Sequence, residues 1–548
     1  MAWALARARE SRSKPVTLAR HRHSRRPVTI EDYAQHFTPL QAVDLAYGLI
    51  DSLYGPLPSP RLIDPACGEG AFLFRALERG LTSPDRAFGI ERDPDLACRA
   101  FSGPGGPRAA VADALGGLAA PRGRGTFDLV VANPPYGAGS AGLREAGETE
   151  ARALAEAYAL WALPGGSRRS VPPSRLRSYP AELLFVELCL ALVRPGGHVV
   201  MIVPEGLAAN ARYATARARL LAQVQVDAVM GLPKSTFRRT GAAAKTVLLL
   251  MTARPPSPSH RVLLGEVENW PPTVGAASAA TSPPMGLDFR VERPQSDPRL
   301  VERLDPAYWR PGYDELLEAC RWPLTPLGDF ISELTYGPIV TGRHAETADC
   351  GPETADAHRA VALVNQGQVG FCGVDLTEAP RVAVGSPWVS PRSTLQPGDV
   401  VLPRSGEGSL GKHRVAVFLD DSPAGVGSFV DLIRLRGLNP FYLAAFLKST
   451  LGRSQVSRVA NGVGVPNISF DEIRRLQVPL LPPQAQQAIE RRYRREVLPL
   501  HRQATRRHAA LRRTAADPRR DPELRQLREA GEKDWGAVIG ELDDALLG

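Results

Sequence analysis

Short apolar runs alternate with segments of helical periodicity between about residues 29 and 252. Candidate helices such as 71–80 and 181–193 carry their apolar residues at helical spacing. This alternation is typical of an α/β domain built on a mostly parallel sheet. The clearest candidate strands are 61–64, 88–91, 127–132, 198–203 and 245–251.

The pattern changes after residue 252. Residues 253–303 are rich in Pro, Ser and Ala, which indicates a linker that contains at most a strand or two. Residues 304–513 place Gly, Pro and Asp between short β-branched runs, which predicts a C-terminal α+β domain. The stretch 483–513 lacks Gly, so we expect this domain to end in long helices. Residues 514–548 are interpreted as a charged tail.

Composition narrows the class of protein. The 548-residue chain has 67 Lys and Arg against 58 Asp and Glu, a formal net charge of +9, which favours a polyanionic partner. None of its six cysteines forms a C-x-x-C pair, which argues against a disulfide framework or a zinc module and indicates a reducing cytoplasm. No apolar run approaches the ~18 residues of a membrane helix, so no membrane is expected as a partner. The scattered cysteines give no reason to expect a metal. The basic segment 1–28 is interpreted as a flexible leader, with a transit peptide and a phosphate-binding arm as alternatives.

The sharpest local signal is Asn133-Pro134-Pro135-Tyr136, directly after the apolar run 129–132. Two prolines stop the strand and force a rigid turn at the carboxyl end of the sheet, where α/β folds bind ligands. The turn presents an amide, a carbonyl and an aromatic ring. Together these can accept both protons of an exocyclic amine and stack on the ring that carries it. The alternative is a simple strand stop with an incidental aromatic residue.

A small-residue loop, Asp64-Pro65-Ala66-Cys67-Gly68-Glu69-Gly70, lies between a predicted strand and a predicted helix. Such a loop lets a nucleotide approach the backbone. Glu91 follows Gly70 by 21 residues at the end of the next predicted strand, where an acid can bind two ribose hydroxyls. Asp113 follows a third apolar stretch and can accept a hydrogen bond from an adenine amino group. Each acid alone is equally well explained as a helix cap.

In this order the elements resemble the gamma-class N6-adenine DNA methyltransferases, which use S-adenosylmethionine. The resemblance covers residues 29–252 and implies a Rossmann-like class I methyltransferase domain with a mixed seven-stranded sheet. Its motifs match this sequence at 36–39, 64–70, 133–136, 194–204 and 232–246.

The resemblance also implies which residues bind the cofactor. Thr38 and Asp64 would hold its methionine end, Glu91 its ribose and Asp113 its adenine. Cys67 is interpreted as a small packing residue and not as a nucleophile. The full implied cofactor set is Phe37, Thr38, Pro39, Asp64, Ala66, Cys67, Gly68, Gly70, Glu91 and Asp113. Two departures from the family pattern are Glu69, where Ser or Thr is frequent, and Ala114, where a larger residue often packs on the adenine.

For catalysis, the resemblance assigns the turn formed by Asn133, Pro134, Pro135 and Tyr136. Asn133 and the Pro134 carbonyl would accept hydrogen bonds from the target amino group, whose nitrogen then attacks the methyl group in line without a covalent enzyme intermediate. Because a stacked duplex buries that amino group, the base must be flipped. Tyr136 and Phe237 would stack on the flipped base. A core position for Phe237 is the alternative.

The C-terminal region resembles the target-recognition domains of type I restriction specificity subunits and of fused methyltransferases. The matching segments include 304–309 and 395–402, the latter leading to Arg404. This resemblance implies sequence reading in the major groove of double-stranded DNA. Arg343, Arg404 and Lys412 are the candidate DNA contacts, although a solvated loop charge explains each of them as well.

These observations favour a site-specific DNA adenine-N6 methyltransferase, the modification component of a restriction-modification or phage-defence system, with a cognate restriction or defence subunit as a further partner. No acid stands two residues before any lysine, which argues against a PD-(D/E)xK nuclease, and no G-K-[ST] occurs, which excludes a P-loop motor. The alternatives are a specificity component that needs a partner subunit, a protein glutamine-N5 methyltransferase and an RNA methyltransferase. Cytosine-N4 chemistry is disfavoured because its related turn usually begins with Ser.

Overall fold

The computed structural model describes most of the chain and divides into two compact units, Met1–Arg310 and Pro311–Gly548. The described residues are 38–117 apart from 102 and 104, 125–137, 149, 152, 154, 179–237, 245–270 apart from 268, 287–339, 360–460 and 467–548.

One sheet organises the first unit. Its strands, in chain order, are β1 (Leu62–Asp64), β2 (Ala87–Glu91), β3 (Arg108–Val111), β4 (Phe127–Ala132), β5 (Val193–Pro204), β6 (Gln225–Gly231), β7 (Thr246–Thr252), β8 (Arg261–Glu266) and β9 (Phe289–Pro294). Their spatial order is β3-β2-β1-β4-β5-β7-β6-β8-β9. Strand β7 is antiparallel to β5 and β6, and β9 is antiparallel to β8. This mixed sheet confirms the predicted α/β fold class.

Helices cover both faces of the sheet. They are α1 (Leu40–Tyr54), α2 (Ala71–Glu78), α3 (Pro94–Phe101), α4 (Ala114–Gly117), α5 (Ala181–Leu192), α6 (Glu205–Ala209), α7 (Ala214–Gln223) and α8 (Arg299–Glu302). Alternate strand residues join opposite cores: Val130 packs in the cluster that contains α5, whereas Leu129 and Val131 pack in the cluster that contains α1. The central strands read as continuous apolar runs because both of their faces are buried.

The sheet has nine strands, two more than the seven expected. The extra strands β8 and β9 come from residues 253–303, where the sequence predicts a linker with at most a strand or two; these two strands extend the sheet of the first unit. Strand β9 lies at the sheet edge and exposes Arg290 and Glu292. Charged edge strands resist pairing with other chains, and the same charges hide the strand pattern in the sequence. Leu304 and Trp309, expected to begin the C-terminal domain, are buried in the core of the first unit.

The second unit combines small sheets with helices, as the predicted α+β class requires. Its strands are β10 (Leu324–Pro326), β11 (Ile331–Tyr336), β12 (Ala360–Val364), β13 (Arg381–Ala383), β14 (Val400–Pro403), β15 (Ala416–Val417), β16 (Ala424–Val426), β17 (Val430–Leu435) and β18 (Gln477–Pro479). They form the sheets β11-β17-β14-β15, β13-β12-β16 and β10-β18. Its helices are α9 (Tyr313–Glu318), α10 (Pro440–Phe446), α11 (Thr450–Val459), α12 (Phe470–Arg475), α13 (Pro483–Arg492), α14 (Leu498–Arg513) and α15 (Pro522–Leu547).

The end of the chain differs from the charged tail that the sequence predicts. Residues 522–547 form helix α15, which buries one apolar face in the core of this unit: Trp535, Val538, Ile539, Leu542 and Leu546. The numerous charges of this segment lie on the exposed face, and they mask its helical periodicity. None of the helices in the described ranges is both long and apolar enough to cross a bilayer.

Candidate active site

A cleft that is open to solvent lies at the carboxyl ends of β1, β2 and β4. Ten predicted site residues line it: Thr38, Asp64, Ala66, Cys67, Gly68, Glu91, Asp113, Asn133, Pro134 and Pro135. Strand order brings them together, because parallel strands end at the same edge of the sheet. Four other described candidates lie outside the lining: Pro39, Gly70, Tyr136 and Phe237. Phe37 is not among the described residues.

The loop after β1 is shaped by glycine. Gly68 and Gly70 have φ angles of 54° and 82°, in the left-handed region that favours glycine. A Cβ on Gly70 would lie 2.9 Å from the rings of Phe74 and Phe101. A side chain at position 70 would meet these rings and strain the backbone, so glycine is favoured at this N-cap of α2.

Cys67 lies in the same loop and packs inward. Its backbone N–H donates to the Ile90 carbonyl at 3.0 Å, and a Cβ on Gly89 would come within 2.7 Å of its Sγ. Burial raises the pKa of the Cys67 thiol well above its usual value, with Asp64 and Glu91 adding to the shift. A neutral thiol in this position is suited to packing and poorly suited to nucleophilic attack.

Two carboxylates of the cleft accept hydrogen bonds from backbone donors. Asp64 is 2% exposed, and its Oδ1 accepts from the Ala66 N–H at 3.0 Å. Glu91 accepts from the N–H groups of Gly68 at 2.8 Å and Asp93 at 2.9 Å. Within the described chain neither acid forms an ion pair. Burial raises the pKa of Asp64 to about 8, the Ala66 N–H opposes this shift and Glu91 adds to it.

The turn after β4 holds a pre-oriented amide. Asn133 Nδ2 donates to Thr38 Oγ1 at 3.0 Å, across 95 residues of sequence. Its Oδ1 accepts from the Tyr136 hydroxyl, which also lies 3.4 Å from the Ile202 carbonyl. Because the amide nitrogen is bound to Thr38, the oxygen of Asn133 is the atom presented as an acceptor. Burial, reinforced by Glu182, raises the pKa of Tyr136 well above its usual value, so this phenol is a neutral donor.

The two aromatic candidates meet edge to face. The ring centroids of Tyr136 and Phe237 are 6.5 Å apart with an interplanar angle of 87°. Phe237 is only 1% exposed and packs in the core cluster that contains α1. The structure thus shows the core position that the sequence left open for Phe237, and its stacking on a base stays a prediction.

Asp113 combines two interpretations that the sequence treated as alternatives. Its Oδ1 accepts from the Leu115 N–H at 2.9 Å, as a helix cap does, and the residue also lines the cleft. The lining further includes apolar residues that sequence reasoning missed: Phe72, Ile90, Leu96, Ala112 and Phe185. Ile90 directly precedes Glu91, so its position in the sequence could have identified it as a lining residue. Leu96 and Phe185 lie on helices whose apolar patterns carry no motif.

The predicted DNA contacts belong to the second unit. Arg404 is largely buried, with an 18% exposed side chain, and its guanidinium lies over the rings of Tyr336 and Phe470. Lys412 is exposed. Arg343 lies outside the described residues. Throughout the described ranges, no group of three His, Cys, Asp or Glu side chains could hold a metal ion.

Residues 108–270 match the model of the N-6 DNA Methylase family. The matched segment runs from β3 to β8. It contains the Asn133 turn and Phe237, whereas the glycine loop and Glu91 precede it.

Several solved structures that are similar to the chain are of restriction-modification proteins. The type IIL enzyme MmeI, solved with DNA, is 12% identical over 91% of this chain and 74% of its own, with a TM-score of 0.46. The type IIG endonuclease BpuSI is 11% identical over 92% of this chain and 66% of its own, with a TM-score of 0.42. A type I restriction-modification chain is 25% identical over 42% of this chain and 45% of its own, with a TM-score of 0.31. The chain therefore spans less than two thirds of two of these neighbours. No curated protein has a significantly similar sequence.

Proposed function

We propose that this protein is a site-specific DNA adenine-N6 methyltransferase that uses S-adenosylmethionine. The observation that carries the proposal is that Asn133 and Pro134 line the same cleft as Asp64, Glu91 and Asp113. One cavity thus combines acceptors for an amino group with acids suited to a nucleoside. The N-6 DNA methylase match of residues 108–270 supports DNA as the substrate.

The side chains of the cleft fit this cofactor. Four acids line it, Asp64, Glu69, Glu91 and Asp113, against the single cation Arg92. Burial, with a smaller contribution from Glu91, raises the pKa of Asp64, and a ligand with cationic groups would stabilise the ionised form of this buried acid. We assign Asp64 to the methionine end, Glu91 to the ribose hydroxyls and Asp113 to the adenine, with Ile90, Leu96 and Phe185 as the apolar surround. When bound, S-adenosylmethionine supplies a methyl group activated by its sulfonium.

Asn133 and Pro134 hold the target nitrogen. The Asn133 Oδ1 and the Pro134 carbonyl accept one N6 proton each, so the nitrogen lone pair is directed away from the turn and toward the methyl donor. As the base enters, the Tyr136 hydroxyl releases Asn133 Oδ1, and the Ile202 carbonyl is a second acceptor within reach. Nitrogen gains the methyl group and loses one proton to solvent. The adenine reaches this position by flipping out of the duplex and stacking on Tyr136.

The second unit supplies target recognition in this proposal. Its α+β architecture is compatible with a DNA-reading domain, as is Arg404, whose guanidinium lies over Tyr336 and Phe470. The protein would act as the modification component of a restriction-modification or phage-defence system. A cognate restriction or defence subunit is the expected partner.

The test is genome-wide detection of N6-methyladenine by single-molecule sequencing, in a methylation-free host that expresses the intact protein. We expect one sequence motif to carry the mark with the intact protein and none to carry it with the Asn133→Ala variant. An unmarked genome in cells that contain soluble intact protein would contradict the proposal of an enzyme that acts without a partner subunit.

A further inference from the structure

One end of the four-stranded sheet in the second unit gathers exposed and unsatisfied side chains. Strands β11 and β14 end there, at Tyr336 and Pro403, and β17 begins there at Val430. The register places Tyr336 opposite Asp431 and Pro403 opposite Val430. We call this end, formed by Tyr336, Arg404, Phe429 and Asp431, the sheet tip.

Phe429 stands on a tightly fixed turn of the sheet tip. The turn is closed by the Val430 N–H, which donates to the Gly427 carbonyl at 3.1 Å. Gly427 itself donates to the Val364 carbonyl at 3.0 Å and accepts from Gly337 at 3.2 Å. A Cβ on Gly337 would lie 1.9 Å from the Val426 carbonyl, so neighbouring backbones touch here without room for a side chain. The backbone is therefore held from several directions.

This rigid turn directs a large apolar ring into solvent. Phe429 is 61% exposed, and its carbonyl accepts from the Arg404 N–H at 3.1 Å. Single exposed apolar residues are ordinary on protein surfaces. Phe429 differs because its backbone is immobilised and because Ile339, which is 70% exposed, follows β11 at the same end of the sheet. An aromatic ring presented in this way loses little conformational entropy when a partner covers it.

Arg404 is oriented but lacks a hydrogen-bond acceptor. Its guanidinium carbon lies 4.2 Å from the ring centroid of Tyr336 and 5.3 Å from that of Phe470. Within the described residues its side-chain N–H groups make no hydrogen bond, and the nearest carboxylate oxygen, Asp431 Oδ1, is 3.8 Å from Nε. Stacking thus fixes the plane of a donor fork whose donors remain available.

The acid Asp431 beside Arg404 affects whether the guanidinium binds a phosphate or a base edge of DNA. It is fully buried, and neither of its oxygens has a hydrogen-bond partner. Burial raises the pKa of Asp431 to about 7, and the nearby Arg404 opposes this shift. In its ionised form this acid weakens the attraction of Arg404 to a phosphate anion, whereas the acceptors of a base edge are neutral. The pair therefore favours base contact over backbone contact.

We propose that the sheet tip contacts bases of double-stranded DNA, with Arg404 donating hydrogen bonds to a base edge and Phe429 packing against a neighbouring base. This inference rests on the proposed DNA-modifying function and names the surface that selects the site. Asp431, Tyr336 and Phe470 are positioning residues for Arg404.

The test is selection of bound sequences from a library of short DNA duplexes randomised at their centre, using the full-length chain and the variants Arg404→Gln and Phe429→Ala. Matched controls are Arg436→Gln, at the opposite end of β17, and Val384→Ala, which removes another exposed apolar side chain (69% exposed). We expect each sheet-tip variant to lose its preference at one or two positions of the selected motif and to bind it about 10- to 100-fold more weakly. The controls should select the intact motif.

Salt dependence provides the second readout. Base contacts release no counterions, so the slope of log affinity against log salt should be unchanged in Arg404→Gln. A slope reduced by about one would identify a phosphate contact and overturn the assignment of Arg404. Unchanged motifs and affinities in both sheet-tip variants would overturn the whole inference. An intact chain that selects a motif but never methylates it would contradict the proposed enzyme and leave the sheet tip standing, whereas a chain that binds no DNA would remove both.

Discussion

The two edges of the large sheet hold buried aspartates in opposite circumstances. At the carboxyl edge, Asp64 is 2% exposed and, within the described residues, accepts a hydrogen bond from one backbone N–H, that of Ala66. At the amino edge, Asp227 is 7% exposed and accepts from Tyr54, Gln225 and Thr252 at 2.8, 2.6 and 2.6 Å. Both positions remove a carboxyl group from water, but only the amino edge surrounds it with side-chain donors.

The difference separates a structural site from a ligand site. The network around Asp227 is complete, and the ring of Tyr54 also stacks on His198 at 3.7 Å, so this edge stabilises the fold. Asp64 has no cation beside it among the described residues, and burial raises its pKa to about 8. A buried acid with so few hydrogen-bond partners is typical of a site that a ligand completes. The second unit repeats the contrast: Asp399 is held by Arg434 at 2.7 and 2.8 Å, whereas Asp431 lacks hydrogen bonds.

The largest expected effect is at the Asn133 turn of the carboxyl edge. Asn133→Ala removes an acceptor of the target amino group, and we expect the single-turnover methylation rate to fall about 100- to 1000-fold. Thr38→Val leaves Asn133 in place but removes the hydrogen bond that orients its amide, so we expect the methylation rate to fall about tenfold. Both are measured with saturating cofactor and DNA. Equal losses in the two variants would contradict the positioning role of Thr38.

Asp227→Ala tests the amino edge. Three side-chain donors, two of them buried, lose their acceptor, so we expect the free energy of unfolding to fall by about 2–4 kcal/mol. Chemical denaturation measures this change. Cofactor affinity at a temperature where the variant is folded should equal that of the intact protein. A selective loss of affinity in a well-folded Asp227→Ala protein would remove the distinction between the edges.

In contrast to Asp227→Ala, the variant Asp64→Asn is expected to raise stability and to lower cofactor affinity. The carboxyl group is protonated in the folded protein below about pH 8 but ionised in the unfolded chain, so its burial costs stability at pH 7. The neutral amide removes this cost, and we expect the ligand-free protein to gain about 1–3 kcal/mol. Cofactor affinity, measured by calorimetry, should fall about 10- to 100-fold. Reduced stability together with unchanged affinity would show that Asp64 is a structural residue.

The same group predicts a pH dependence of binding. Because the folded pKa of Asp64 is raised to about 8, this acid carries a proton at lower pH and must release it to bind a cationic group. Affinity for S-adenosylmethionine should therefore rise by up to about tenfold per pH unit and level off above pH 8. The Asp64→Asn variant is the control and should lack this slope. An intact protein whose affinity is flat between pH 6 and pH 8 would refute the linkage.

Local sequence motifs are sufficient to predict that the central residues of the cleft lie together. Asn133, Asp64 and Glu91 follow strands that their apolar runs predict, and parallel strands place such residues at one edge. The bond between Thr38 and Asn133 joins positions 95 residues apart and has no local pattern, as is also true of the wall residues Leu96 and Phe185.

Strand β9 and helix α15 are hard to locate from the sequence for one physical reason, which is the charge on their solvent side. Strand β9 alternates exposed Arg290 and Glu292 with half-buried neighbours, and α15 hides its apolar face among many charged residues. In both segments the polar residues dominate the composition, although burial of one face decides the structure. Phe429 carries no motif at all, because its significance comes from the glycines that fix its turn.

The measurement that tests the central claim most directly is transfer of a labelled methyl group from S-adenosylmethionine to duplex DNA by the purified full-length protein, followed by separation of the nucleosides. With the cofactor held well below saturation, we predict that the label appears in N6-methyldeoxyadenosine with the intact protein and is strongly reduced with Asp64→Asn. Label in a cytosine nucleoside, or equal transfer by the Asp64→Asn protein, would contradict the assignment of this cleft.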